Sequence, residues 1–206
     1  MADSSSDSKP PLDADALRAA IASGDPVQAM PALAGLRGVE SEVAIPLLLL
    51  GLEQEPFIVR SLSCAGLGVK RSAAGWEALQ RALRHDDDAN VRAEAANALA
   101  SYGAEQAWPL LREAFAADDQ WLVRCSILSA LAEQALMGFE PLLELARMAI
   151  ADPDSSVRVG GAEILGRLAH EAAPAEGAEA VRALLRGLQN DPDHRVVAAA
   201  LNGLQP

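Results

Sequence analysis

The chain has 206 residues, half of them hydrophobic but only 3% aromatic, and its 29 acids against 17 bases give a formal charge of −12. Ala and Leu dominate, which favours helices packed through small side chains over a sandwich or barrel built from β-branched and aromatic strands. The negative field repels phosphate backbones, so nucleic acid is excluded as an expected partner.

Residues 1–11, MADSSSDSKPP, are rich in Ser, Asp and Pro and read as a disordered tail. They contain neither a basic n-region nor an apolar h-region of the kind a signal peptide needs. The longest apolar run, Ile45 to Leu52, is broken by Pro46 and falls far short of the roughly 20 residues that span a bilayer. A cytoplasmic protein without membrane insertion is expected.

From residue 12 to residue 206 the chain reads as a single domain of helix pairs. Leucine-rich first helices contain Ile45-Pro46-Leu47-Leu48, Trp76-Glu77-Ala78-Leu79, Trp108-Pro109-Leu110-Leu111, Pro141-Leu142-Leu143 and Val181 to Leu185. Pro46, Pro109 and Pro141 are expected in the first turn of their helices, where a missing N–H has no consequence. Acidic turns follow, among them Asp86-Asp87-Asp88, Asp118-Asp119, Asp152-Pro153-Asp154 and Asp191-Pro192-Asp193. An Asp just ahead of a helix accepts its orphan N–H groups and complements the helix dipole.

Each second helix opens on a Val-Arg pair: Val59-Arg60, Val91-Arg92, Val123-Arg124 and Val157-Arg158. The arginines recur at intervals of 32, 32 and 34 residues, and Leu67, Leu99, Leu131 and Leu165 each follow their Val by eight. A fixed period of this size signals stacked supersecondary units. The register continues outward to Val27-Gln28 and Val196-Val197, end copies without the Arg, as suits capping repeats. Gly138 and residues 172–177 mark looser junctions. The fold expected is all-α, a right-handed α-solenoid of about six helix pairs. Cys64 and Cys125 lie about two repeats apart, too far for a disulfide, and read as packing residues.

At the DxD…V-R…A…L pattern, most fully in Asp86-Asp87-Asp88-Ala89-Asn90-Val91-Arg92-Ala93-Glu94-Ala95-Ala96-Asn97-Ala98-Leu99, the chain resembles HEAT repeats. The resemblance is to the short HEAT-like units of phycobilin lyases and related phycobilisome-associated proteins of cyanobacteria. It extends over about residues 12–206 and is also clear from Asp118 to Leu131 and from Asp152 to Leu165. Ankyrin's T-P-L-H and the tetratricopeptide Trp/Gly/Tyr pattern are missing. The resemblance implies that Arg60, Arg92, Arg124 and Arg158 form a structural ladder with turn acids, for which Asp88, Asp119 and Asp154 are the expected partners. Such pairs, if exposed, are worth about 0–1 kcal/mol each. It further implies a protein-binding or chaperone-like accessory factor, for phycobiliproteins or another photosynthetic component. The alternatives are a bilin lyase subunit, which handles a bilin transiently and works with a second HEAT-like chain, and a general adaptor unrelated to pigments.

Deoxyhypusine hydroxylase also resembles this chain in scaffold and holds two irons through His-Glu dipeptides in its second helices. The corresponding residues here are Ser61-Leu62, Ala93-Glu94, Cys125-Ser126 and Val159-Gly160, so of the His-Glu dipeptides only Glu94 survives, with no His beside it, and the di-iron enzyme is excluded. His85, His170 and His194 are scattered over different repeats, and neither a catalytic nor a resident-cofactor motif stands out. In HEAT-like solenoids the second helices line the concave face. Glu94, Asn97, Ser126, Ser129 and Glu163 are therefore the candidate partner-binding residues there, in a set that also contains Ser61, Leu62, Ala65, Ala93, Cys125, Val159 and Gly160. Phe57 and Trp121 share one turn position and are candidate hot spots. Trp76 and Trp108 are expected to fill space between repeats.

Overall fold

The computed structural model describes residues 13–134, 137–170 and 175–205. The proposed tail at 1–11 and residues 172–174 of the junction at 172–177 lie outside them. The described chain is all helical. Its pairs are α1 (Ala14–Ala22) with α2 (Pro26–Gly35), α3 (Ser41–Leu52) with α4 (Phe57–Lys70), and α5 (Ala73–His85) with α6 (Ala89–Ala100). They continue as α7 (Ala104–Ala117) with α8 (Trp121–Ala132), α9 (Phe139–Ile150) with α10 (Ser155–His170), and α11 (Ala175–Leu188) with α12 (His194–Gly203). The result is an α-solenoid of six helix pairs.

Local chemistry sets the helix starts. The carboxylates of Asp25, Asp88, Asp154 and Asp193 each accept the backbone N–H two residues on, at 2.7–3.0 Å. Each satisfies an orphan donor of the first turn. The prolines depart from expectation. Pro141 is in the first turn of α9, but α3 begins at Ser41 and α7 at Ala104, which puts Pro46 and Pro109 inside their helices. Each forgoes the bond to the carbonyl four residues back, Glu42 or Glu105, and both of those residues are exposed, so water can take the free carbonyl.

Packing follows the repeat. Val59, Val91, Val123, Val157 and Val196 are wholly buried, as are Leu67, Leu99, Leu131 and Leu165. The second helices lie against one another in sequence, α2 on α4, α4 on α6, α6 on α8, α8 on α10 and α10 on α12, whereas neighbouring first helices touch sparsely. Closer spacing on the second-helix side curves the stack and makes that side the inner one. Small residues permit it. A Cβ on Gly166 would come within 3.0 Å of Gly203 Cα, and one on Gly68 within 3.0 Å of Ala98 Cα. Trp76 and Trp108 are partly buried against the core. The ring centroids of Trp76 and Tyr102 lie 5.2 Å apart, and the Tyr102 hydroxyl donates to Leu67 O and accepts from Ser72 N, both at 3.1 Å.

The arginines join one repeat to the next. Arg60 grips Asp86 through Nε and Nη2 at 2.7 and 2.9 Å. Arg92 grips Asp118, Arg124 grips Asp152 and Arg158 grips Asp191 in the same two-pronged way, at 2.6–3.1 Å. The third nitrogen, Nη1, donates to turn carbonyls of the arginine's own pair: Asp86 O for Arg92, Asp118 O for Arg124 and Asp152 O for Arg158. Each of these three aspartates thus receives one arginine on its carboxylate and the next on its carbonyl. The carboxylate also accepts the N–H two residues on, at 2.8–3.0 Å.

This corrects the expected partners. Asp88 and Asp154 cap helices and Asp119 sits on an exposed turn, while the gripped acids are the first of each turn, Asp86, Asp118, Asp152 and Asp191. The Arg side chain starts one turn into its helix and reaches across to the turn that follows the next first helix, where the first acid stands; Asp86 and Asp118 are themselves the C-caps of α5 and α7. The pairs are also sheltered: the side chains of Arg124 and Asp152 are only 9% and 5% exposed. The surface-pair figure of about 0–1 kcal/mol therefore does not apply.

Arg124→Ala leaves Asp152 buried without its partner and should destabilise by about 3–5 kcal/mol, measured by chemical denaturation. Arg124→Lys should recover little, because an ammonium cannot reproduce the two-pronged grip. Burial works against ionisation of Asp86, but the Arg60 guanidinium and the Asp88 N–H outweigh it and hold the carboxyl below its usual range. A carboxylate depressed on folding adds stability that is full above its unfolded pKa of about 3.9 and disappears as pH falls through the folded value. Asp86→Asn should therefore be less stable at neutral pH and lose stability less steeply below about pH 5, as followed by acid-unfolding curves.

Candidate functional site

Counting from each buried Val places the inner-face residues in rows that cross successive helices. Three residues on stand Leu62, Glu94, Ser126 and Gly160; six residues on stand Ala65, Asn97, Ser129 and Glu163. Asn97, Ser129 and Glu163 are exposed, and Glu94 and Ser126 are half-buried beside them. Ala93, expected to face solvent with them, is buried; its methyl is too short to emerge between the helices flanking α6. The surface over α6, α8 and α10 is thus shallow, small and weakly polar.

A hollow lies at each end of this surface. The first, about 330 Å3, opens between α2 and α4 over Leu36, Leu48, Leu62, Ala65, Gly66 and Val69, with Arg37 and Lys70 at its rim. Val69 is 59% exposed, and the Lys70 ammonium donates to the carbonyls of Arg37 and Val39. The second, about 300 Å3, lies between α8 and α10 over Ser129, Glu133, Gly160, Glu163 and Arg167. Arg167 donates there to Ala132 O. Reading the inner face from the sequence passed over the row ten residues beyond each Val, which holds Val69, Ser101, Glu133 and Arg167. That row falls three turns into the helix on the same side, and helical periodicity alone would have found it.

Burial raises the Glu94 carboxyl above its ordinary range, only partly offset by a hydrogen bond from Asn97. Neither Glu94 nor Glu163 forms an ion pair among the described residues. Phe57 and Trp121 are 43% and 48% exposed. They are the first residues of α4 and α8, so they stand at the turn edge, away from the two hollows. Cys64 and Cys125 are both free thiols. Burial pushes the Cys64 thiol up to about 12, and burial also raises Cys125.

The family of HEAT repeats matches residues 45–132, from within α3 to the end of α8. These matched helix pairs are HEAT-like repeats. Among solved structures the fold is similar to that of YibA from Escherichia coli, at 19% identity and a TM-score of 0.66, over 94% of this chain and 70% of that one. It is also similar to human deoxyhypusine hydroxylase in complex with glycerol, at 16% identity and a TM-score of 0.52, over 93% and 94% of the two chains. No curated protein sequence matches the chain. Likeness at these identities extends to the HEAT-like fold alone. Ser61-Leu62, Ala93-Glu94, Cys125-Ser126 and Val159-Gly160 lie on the inner helices, with Glu94 the single carboxylate among them, and among the described residues no group of three or more His, Cys, Asp or Glu side chains is arranged to hold a metal ion. No described helix is long and apolar enough to cross a membrane.

The two thiols report on burial. At about pH 8 a thiol raised from its usual range to about 12 is roughly a thousandfold poorer in thiolate. A thiol-reactive dye should accordingly label Cys125 in the native protein and reach Cys64 only after denaturation, as read by mass spectrometry of the two peptides.

Proposed function

We propose that this chain is a protein-binding scaffold whose inner face, from α4 to α10, receives a segment of another protein. The observation that carries the reading is the pair of inner-face carboxylates, Glu94 and Glu163, without ion-pair partners among the described residues, on a surface of small side chains beside an apolar hollow. Small side chains let a partner's backbone approach closely, and unpaired carboxylates select for basic groups on it. The HEAT-like fold supports this use, since curved stacks of helix pairs present extended concave surfaces.

The finer reading, an accessory factor for phycobiliproteins, has its support in the sequence resemblance centred on Asp86 to Leu99 and in no feature of the groove. A bilin lyase subunit would add transient capture of a linear tetrapyrrole. Incubating the protein with a bilin and an apo-phycobiliprotein separates the three readings. A stable complex without covalent attachment favours the accessory factor, attachment favours the lyase, and failure to retain either component leaves the general adaptor.

The scaffold role itself is tested by affinity capture with the full chain. Glu94→Lys combined with Glu163→Lys should reduce recovery of bound partners at least about tenfold while the thermal melt stays unchanged. Undiminished capture removes the inner face from the proposal.

A further inference from the structure

The inner face is not uniform along the stack, and its gradient describes the partner. Three, six and ten residues beyond the ladder Val, α4 presents Leu62, Ala65 and Val69. At the same positions stand Glu94 and Asn97 of α6 with Ser101 as its C-cap, Ser126 and Ser129 of α8 with Glu133 as its C-cap, and Gly160, Glu163 and Arg167 of α10. One end of the groove is therefore an apolar hollow and the rest is polar with an excess of carboxylates. Arg37 and Lys70 line the hollow's outer rim, so positive charge on an occupant is disfavoured at that end and favoured toward α6 and beyond.

We infer that the groove accepts an amphipathic basic helix, anchored by aliphatic side chains in the hollow between α2 and α4, with its lysines or arginines extending over Glu94 toward Glu163. The inference rests on the scaffold reading and adds the occupant's chemistry and direction. Packed helices lie about 8–10 Å apart, so Glu94 is roughly two turns of an occupant helix from the hollow and Glu163 about two helix spacings further. Apolar anchors at helical spacing with charged flanks are the recognised grammar of a helix laid in a groove. A second copy of this chain is the poorer occupant, because a formal charge of −12 sets acid against acid along the same surface.

The test uses the full chain and a synthetic alanine-based helical peptide of about 24 residues. The peptide carries two leucines one turn apart near one end and lysines on the same face from about two turns onward. Fluorescence anisotropy should show saturable binding that weakens with salt. Replacing the peptide's lysines by glutamates, or its leucines by serines, should abolish it. Glu94→Lys should weaken binding about tenfold at low salt, with the loss shrinking at high salt. Val69→Asp should weaken it about tenfold at any salt, with Val69→Ser as the milder change should α4 be perturbed. Equal binding of the acidic peptide, or indifference to both Val69 variants, overturns the inference. So does dimerisation of the protein that Val69→Asp abolishes, since the hollow would then belong to a second copy. If captured native partners depend on Glu94 and Glu163 while the basic peptide fails to bind, the scaffold reading stands and this inference alone falls.

Discussion

The joint on which the molecule depends is a guanidinium divided between two repeats. One edge of Arg92 holds the Asp118 carboxylate of the next pair, and its remaining nitrogen holds turn carbonyls of its own pair. A stack with no central core has to fix the rotation between units locally, at every step. A planar five-donor fork can do this because its geometry leaves little freedom once two acceptors are occupied. The same contact closes the acidic turn, whose first aspartate follows the end of one helix while a later one, in the turns of Asp88, Asp154 and Asp193, starts the next. Register, turn and helix boundary are thus settled together in a few residues.

Much of this was legible in the sequence. The Val-Arg period revealed helix pairs, their number and the buried Val and Leu positions, because those residues answer to helical spacing and burial, which are local properties. The ladder partners were misread for a geometric reason. Asp88 and Asp154 are nearest in sequence to Arg92 and Arg158, but an arginine leaving the first turn of a second helix reaches sideways to the neighbouring repeat. The prolines were misplaced for a related reason: helix starts at Ser41 and Ala104 carry weak signals, whereas Pro46 and Pro109 look like beginnings. A helix packed on its neighbours tolerates the missing bond.

On the inner face the sequence supplied the rows but not the depth. That Glu94 is half-buried, that Ala93 is covered, and that Leu62, Ala65 and Val69 join Leu36 and Leu48 around one hollow depends on how α2, η1 (Leu36–Gly38) and α4 come together. Curvature is what converts a list of small residues into a groove. It arises where second helices approach nearly backbone to backbone, as at Gly166 and Gly203, while the first helices spread.

The ladder also has ends. It begins at Arg60, whose own turn offers only the main-chain oxygens of Gln54 and Glu55, and it stops at Asp191, where Val197 stands in the place of the next arginine. Every internal pair, by contrast, donates one fork and accepts one, so donor and acceptor are always carried by the same unit. A chain built this way can gain or lose a pair by duplication or deletion between α5 and α10 without inventing a new joint. The length of the inner surface is then an evolutionary variable, open to matching against partners of different reach.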